Sequence, residues 1–455
     1  MVLQVAYALV SSLFPTNYYL HIGLAAVALV VLYAFAQGRT TNRERDLHAR
    51  VIIVTGAFTP LGLMLLSALA SRGAHIIAIS PYPLEHAVPS LLIPLLRSTT
   101  NNENIFAEYA DLSNSASIRE FCTRFLTGQD QRLDAIVFAH EYRIIGSLVG
   151  GSDAKNLAEK RETASLATFL MLTLLLPALL VEPAERDIRI VNVVNPFYAA
   201  SAPLFTNQLT LAGSSSSSSP LLLEGSRALR TTVLTRHLQR VLDSLPNHAT
   251  DAPPNTAAEP EAHSKRPEPP HPSNIISISV CPGISRKDTI APLLRAQRDS
   301  EESVSILGFA IYVLLFPFFL LFTKSPNSAL QSVLHVLFLP TPLKQSEKPT
   351  QPRIVNEEVL KPGALYRECA VVQLNVPPLT ASELPPQAEK EQQKRKGKQT
   401  ETQEEADLNL PDDGEYGGEA VGRAVWEWYE ENLKKWEAQS QTQTKEQAGD
   451  DDTAK

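Results

Sequence analysis

"VIIVTGAFTPLGLMLLSALASRG", Val51 to Gly73, decides the reading of this chain. Five β-branched residues lead into a Thr-Gly turn, and an apolar run with helical spacing follows until a glycine stops it. A buried strand, a glycine turn and a helix, in that order, make the setting in which backbone amides and a helix N-terminus can meet a pyrophosphate. The same alternation continues outward. "HIIAIS" reads as a second strand, followed by a helical stretch to about Arg97, a third strand from Ile105 to Tyr109 ending in Asp111, and a helix through Phe121. "DAIVFA" (Asp134 to Ala139) is a fourth strand, and a long helix from Ala154 to Val181 leads to "IRIVNVV" (Ile188 to Val194). Helical spacing returns from Leu221 to Leu245, "NIISISV" (Asn274 to Val280) is a buried strand stopped by "CPG", and a last strand is expected around Gly363 to Tyr366. Strands alternating with helices predict an α/β fold: a Rossmann-like doubly wound parallel sheet over 50–370, with ligands at the carboxyl ends of its strands.

Composition sets the limits of that domain. The chain has 455 residues and 44% hydrophobic content, too apolar to be mainly disordered. Its 33 prolines crowd into 251–273 and the region after Leu339, which leaves about 300 residues for the core. A net charge of -8, without a basic stripe interleaved with aromatics, argues against nucleic acid as a partner. Three scattered cysteines, Cys122, Cys281 and Cys369, make neither a disulfide framework nor a metal site, and fit a reducing compartment. Insertions are read at about 213–220, where six serines run together, and at 246–272, which is proline-rich. A charged linker is read at 380–415, a helix at 416–438 whose Trp426, Trp428 and Trp436 pack back onto the domain, and a disordered tail at 439–455.

Two segments call for a membrane. Met1 to Gly38 carries no charged side chain, and the 19 residues from Tyr18 to Ala36 are about enough to cross a bilayer. No basic region precedes them, which argues against a cleavable signal peptide. Arg39, Arg43, Arg45 and Arg50 follow at once, so 1–38 reads as a single N-terminal transmembrane anchor with the domain facing the cytosol. The endoplasmic reticulum is the membrane expected. The segment 303–323 is also uncharged and long enough to span. One crossing there, however, would leave the last strand on the wrong side of the bilayer, so it is read as dipping into or lying on the membrane, bent at Pro317. A helix covering the substrate cleft is compatible with that reading.

The turn "TGAFTPLG" and the pieces after it resemble the short-chain dehydrogenase/reductase superfamily over roughly Val51 to Cys369, and are most similar to its membrane-associated, retinol-dehydrogenase-like branch. The long helix from Ala154, the turn "VCPGIS", the apolar segment, "SALQSVLHVLF" and "GALYREC" follow in the family's order. The resemblance implies NAD(P) as cofactor, held by Thr55, Gly56, Thr59, Leu61 and Gly62 in the first turn, by Asp111 and Leu112 at the adenine, by Ala139, by Pro282 and Gly283, and by Arg227. "SPYP" after the second strand has neither an acidic residue nor an arginine to choose between NAD and NADP. Pro60 replaces the middle glycine of the fingerprint and removes one N–H. The family's Asn-Ala-Gly turn is Ala139-His140-Glu141, with His140 read as cleft lining or a solvated strand-end residue. Lys287 stands in place of a threonine that contacts the nicotinamide amide.

The catalytic positions depart further. Reducing a carbonyl by hydride transfer leaves an alkoxide that needs a proton, and the family supplies it from a tyrosine acidified by a lysine four residues on. That motif falls on Leu223 and Arg227; the family's serine falls on Asn195 and its helix asparagine on Ala164. None of the 12 tyrosines is followed four residues later by lysine, and Tyr198, just past the fifth strand, is the one rescue considered. The leading expectation is therefore a membrane-anchored pseudoenzyme that binds a nucleotide or a lipid. The alternatives are an active NAD(P)-dependent oxidoreductase on a lipophilic alcohol or carbonyl compound, using Asn195, Tyr198 and Arg227, and a scaffold acting through protein partners.

Overall fold

The computed structural model describes residues 19–128, 132–148, 154–183, 185–210, 219–245, 273–296, 305–342, 358–379, 410 and 412–453. The first 18 residues of the expected anchor, nearly all of the insertion at 213–220, the whole of 246–272 and most of the 380–415 linker lie outside them. Strands β1 (Val51–Thr55), β2 (His75–Ser80), β3 (Ile105–Tyr109), β4 (Ala135–Phe138), β5 (Ile188–Val193), β6 (Ile275–Cys281), β7 (Leu365–Arg367) and β8 (Ala370–Val372) form one sheet in the order β3-β2-β1-β4-β5-β6-β7-β8. All neighbours are parallel except β7 and β8, a tight antiparallel pair: β7 is the last strand expected around Gly363 to Tyr366, and the three-residue β8 was not expected. The order reverses at β1, between β2 and β4, and such a switch point opens a crevice at the carboxyl ends of the strands.

Helices α1 (Tyr19–Gln37), α2 (Pro60–Ala70), α3 (Ala87–Thr100), α4 (Ser115–Thr127), α5 (Ala154–Val181), α6 (Pro220–Ser244), α7 (Ile306–Leu314), α8 (Phe316–Phe322), α9 (Pro326–Phe338) and α10 (Gly418–Thr453) complete the main elements. The core has two halves, one on each face of the sheet. One side packs α2 and α9 with Val54, Leu65, Ile278 and Val333; the other packs α4, α5, α6 and α10 with Ile136, Leu170, Leu229 and Val425. Strands β1, β4, β5 and β6 are buried along their whole length, which is why they read as largely β-branched, apolar runs.

Helix α10 returns to the domain as expected. Tyr429 is buried, its hydroxyl 2.7 Å from Ser165 Oγ, and the Arg230 guanidinium lies 3.8 Å from the centre of the Trp428 ring. The expected disordered tail at 439–455 is corrected: α10 continues to Thr453. A polar composition does not stop a helix already nucleated by packing, since each added residue gains a backbone hydrogen bond for little further ordering.

The apolar helices differ in fate. Helix α1 has 19 residues and no buried side chain, whereas the equally apolar Ala158–Val181 part of α5 lies largely inside the domain. The segment 303–323, described from 305, is not one helix but two, of 9 and 7 residues, broken at Leu315. At about 1.5 Å per residue neither reaches across a hydrocarbon core of about 30 Å. The longer stretch that contains it is closed at its base, because Lys324 N donates to Ile284 O (2.9 Å) and Arg286 N to Lys324 O (3.2 Å). It therefore leaves the sheet and returns to the same place. Helix α8 packs on α1, whose last residue, Gln37, donates to Thr323 O and accepts from Ser325 N and Ser328 Oγ.

Candidate functional site at the carboxyl end of the sheet

The first turn is built as its sequence predicts. Gly56 takes φ +65°, and a Cβ there would lie 2.7 Å from the His140 backbone nitrogen, so only glycine lets the turn after β1 press against the turn after β4. Thr59 caps α2: its hydroxyl donates to Gly56 O (2.8 Å) and accepts from Gly62 N (3.0 Å), with Pro60 in the first helical position. Asp111 closes its own turn, accepting from Ser113 N (2.9 Å), and stays half-buried with Leu112 at the end of β3. Ala139 is buried against Thr55, and Pro282 and Gly283 end β6, Gly283 with φ +97°. All the residues expected to hold a cofactor thus gather at one edge of the sheet.

Other side chains of the protein are already there. The Leu61 amide at the start of α2 donates to the carboxylate of Asp288 (3.4 Å), which is fully buried. The Tyr142 hydroxyl donates to Gly283 O (2.7 Å) and accepts from Thr289 Oγ1 (3.3 Å). Burial raises the Tyr142 phenol well above its ordinary value, so it stays a donor. Burial likewise raises the Asp288 carboxyl, against the lowering effects of the Leu61 amide, Arg143, Ser285 and Lys287. Lys287 itself is exposed, and Thr289, two residues on, is the threonine that faces inward. A dinucleotide does not fit this arrangement: the amide of the first turn and the carbonyl of the Pro-Gly turn are both taken from inside.

His140 is neither solvated nor open to a cleft, which corrects the sequence reading. It is 4% exposed, and burial holds its imidazole below the ordinary value and therefore neutral. Nδ1 then accepts from the Thr55 hydroxyl (2.8 Å) and Nε2 donates to Ala164 O (2.9 Å), so the carbonyl at the family's asparagine position is also occupied.

The catalytic positions form a buried charge cluster. Asn195 links β5 to α6, donating to Glu224 O (3.2 Å) and accepting from Phe197 N (3.1 Å). Arg227 is 2% exposed; its guanidinium donates to the carbonyls of Arg161, Glu141 and Ile144 and pairs with Glu224 at 3.1 Å. Glu224 also accepts from Gly146 N (3.0 Å) and pairs with Arg161. Leu223, one helical turn before Arg227, is 39% exposed and supplies no proton. Tyr198 is buried in the helical layer beside Arg367 of β7, which lowers its pKa against the larger upward effect of burial. Arg367, rather than Asn195 or Arg227, is its polar neighbour. Glu224, Tyr142 and Asp288 were missed by sequence reasoning: Tyr142 and Asp288 act across long stretches of chain, and Glu224, although one turn from Arg227, is given its role by the distant Arg161 and Gly146.

Comparison with known proteins agrees with the geometry. No family model matches the chain. An uncharacterized oxidoreductase of Schizosaccharomyces pombe is 27% identical over 73% of this chain and 81% of its own length. One of Saccharomyces cerevisiae is 28% identical over 71% and 76%. Human retinol dehydrogenase 13 is 28% identical over 26% of this chain and 34% of that protein. By its sheet order and these similarities the chain resembles the short-chain dehydrogenase/reductase superfamily. Among solved structures, a short chain dehydrogenase from Shigella flexneri covers 64% of this chain and 87% of its own at 15% identity, with a TM-score of 0.41. Against that superfamily's pattern, the chain has the Thr-Gly turn after β1 and the Pro-Gly turn, with Leu223 and Arg227 at the positions of the tyrosine and lysine.

Proposed function

We propose that this short-chain dehydrogenase/reductase-like protein is a membrane-anchored binding module without the family's reductase chemistry. The observation that carries this reading is the setting of Arg227: it is 2% exposed, its terminal nitrogens donate to three backbone carbonyls and pair with a Glu224 shared with Arg161, and Leu223 at the donor position has no proton to give. A positioned acid–base group contributes about 100- to 10,000-fold. Its loss leaves binding as the use of the fold, with a lipophilic small molecule or membrane lipid as the ligand class. NAD(P) is a ligand only for a rearranged cleft.

The anchor in this reading is the N-terminal segment ending in α1, with the domain on the cytosolic side. Arg45 and Arg50 support the orientation by joining the segment after the helix to the amino end of the sheet, through Asp187 (2.9 Å) and Asp134 (2.8 Å). A 19-residue helix spans about 28 Å, which suits the thin bilayer of the endoplasmic reticulum. Ile306, Leu307, Phe309, Leu314 and Phe318 of α7 and α8 are exposed, and α8 packs on α1, which supports a shared membrane contact in this reading. The full chain in detergent, assayed with NADH and NADPH against retinal, sterol and fatty-aldehyde panels, is expected to give no turnover above a protein-free blank. Turnover that disappears in Tyr198→Phe would overturn the reading and install the active oxidoreductase in its place.

A further inference from the structure

The turn after β6 sits where the fold would receive a diphosphate. Ser285 to Ile290 form one tight turn in which the Ser285 hydroxyl donates to Asp288 Oδ2 (3.3 Å) and the Asp288 amide donates back to Ser285 Oγ (3.4 Å). Asp288 Oδ1 accepts from the Leu61 amide, at the positive end of an 11-residue helix. A second contact closes the cleft independently, Tyr142 to the Gly283 carbonyl. Both contacts involve groups at the cofactor-binding positions inferred from the sequence.

The hold on Asp288 is weak for a carboxylate with no exposed surface. Charge-assisted hydrogen bonds are ordinarily about 2.7–2.9 Å, whereas its bonds to Ser285 and Leu61 are 3.3 and 3.4 Å. A buried carboxylate with only long bonds is costly to keep in place. A doubly charged diphosphate on the same helix end would be a stronger partner for that amide, and the two anions exclude each other.

We infer that Asp288 is an internal plug: its carboxylate substitutes for a ligand diphosphate at the N-terminus of α2, and a dinucleotide binds only when the Ser285–Ile290 turn withdraws. The inference rests on the superfamily resemblance and not on the loss of catalysis, so it goes beyond the proposed function. The turn is also the root of the apolar hairpin, because Ser285 pairs with Lys324 across the hairpin's two ends.

The test compares the full-length wild type with Asp288→Ala in the same detergent, measuring affinity for ADP-ribose, which carries a diphosphate, and for adenosine, which does not. Thermal unfolding of both proteins verifies the fold. Asp288→Ala is expected to bind ADP-ribose at least tenfold more tightly than the wild type, with adenosine changed less than twofold. Equal ADP-ribose affinities, no binding to either folded protein, or an equal gain for both ligands would each overturn the plug. Asp288→Asn, which keeps the size and removes the charge, is expected to fall between the two. Turnover by the wild type would defeat the proposed function and leave this result untouched, so the two failures are distinguishable.

Discussion

The two halves of the cleft have been changed to different depths. On the nucleotide side Gly56 presses against His140 and Thr59 caps α2, with the Asp288 carboxylate on the Leu61 amide (3.4 Å) and the Tyr142 hydroxyl on the Gly283 carbonyl (2.7 Å). On the chemistry side the positions have become core: Asn195, Glu224, Arg227 and Arg161 are joined by short polar contacts, and Glu141 beside them accepts from Thr168 and Thr231. The difference teaches that the two halves are held by different means: Arg227 at a catalytic position is tied into a buried ion cluster that contributes to the fold's stability, whereas the nucleotide side is met by hydrogen bonds to backbone groups.

Glu224→Ala gives the largest test of that difference. It leaves Arg227 and Arg161 buried without their carboxylate, and removal of one partner from a buried ion pair costs about 3–5 kcal/mol. Denaturant unfolding is expected to show a loss in that range, and a loss under about 1 kcal/mol would mean the chemistry side is no more locked than the nucleotide side.

Acid probes the cover over the same half. Burial, with Arg240 and Arg423 beside it, pushes His237 down to about 4. Gly422 of α10 packs directly on the ring, and a Cβ there would lie 2.7 Å from Nδ1. The unfolded chain takes up this proton near pH 6.5 and the folded chain only near pH 4, so the stabilisation is complete above 6.5 and is lost as pH falls between those values. The loss is on the order of 3 kcal/mol. Stability measured from pH 7 to 4.5 should fall less steeply in His237→Gln, and an unchanged slope would remove this group from the account.

The smallest effect is expected at the plug. Asp288→Asn removes a charge held by long bonds, so stability should change by less than about 1 kcal/mol in either direction. Burial raises the Asp288 carboxyl, so the charged form costs stability at neutral pH. The wild type should therefore gain on Asp288→Asn as pH falls through the carboxyl's raised titration. A loss as large as that of Glu224→Ala would erase the distinction between the halves.

Much of the fold was legible because its signals are local. β-branched runs mark β1, β4, β5 and β6, helical spacing marks α2, α5 and α6, and the order of these pieces with the Thr-Gly and Pro-Gly turns fixes a doubly wound sheet. The sequence reading took 1–38 as the anchor and Ala154–Val181 as a helix of the domain, and burial separates the two in the same sense, α1 bare and most of α5 inside. The paired ends of the apolar hairpin appear only when Ile284 and Arg286 meet Lys324.

For the site, the sequence by itself determined what is missing: four residues of spacing are enough to place Leu223 and Arg227 on the donor and its partner. What replaced them was decided by the tertiary structure. Asp288 lies 227 residues from the amide it reaches, and Tyr142 lies 141 residues from the carbonyl it holds. A spacing motif records neighbours on one helix face, whereas a buried carboxylate or phenol is defined by whichever distant backbone group supplies its hydrogen bond once water has been excluded.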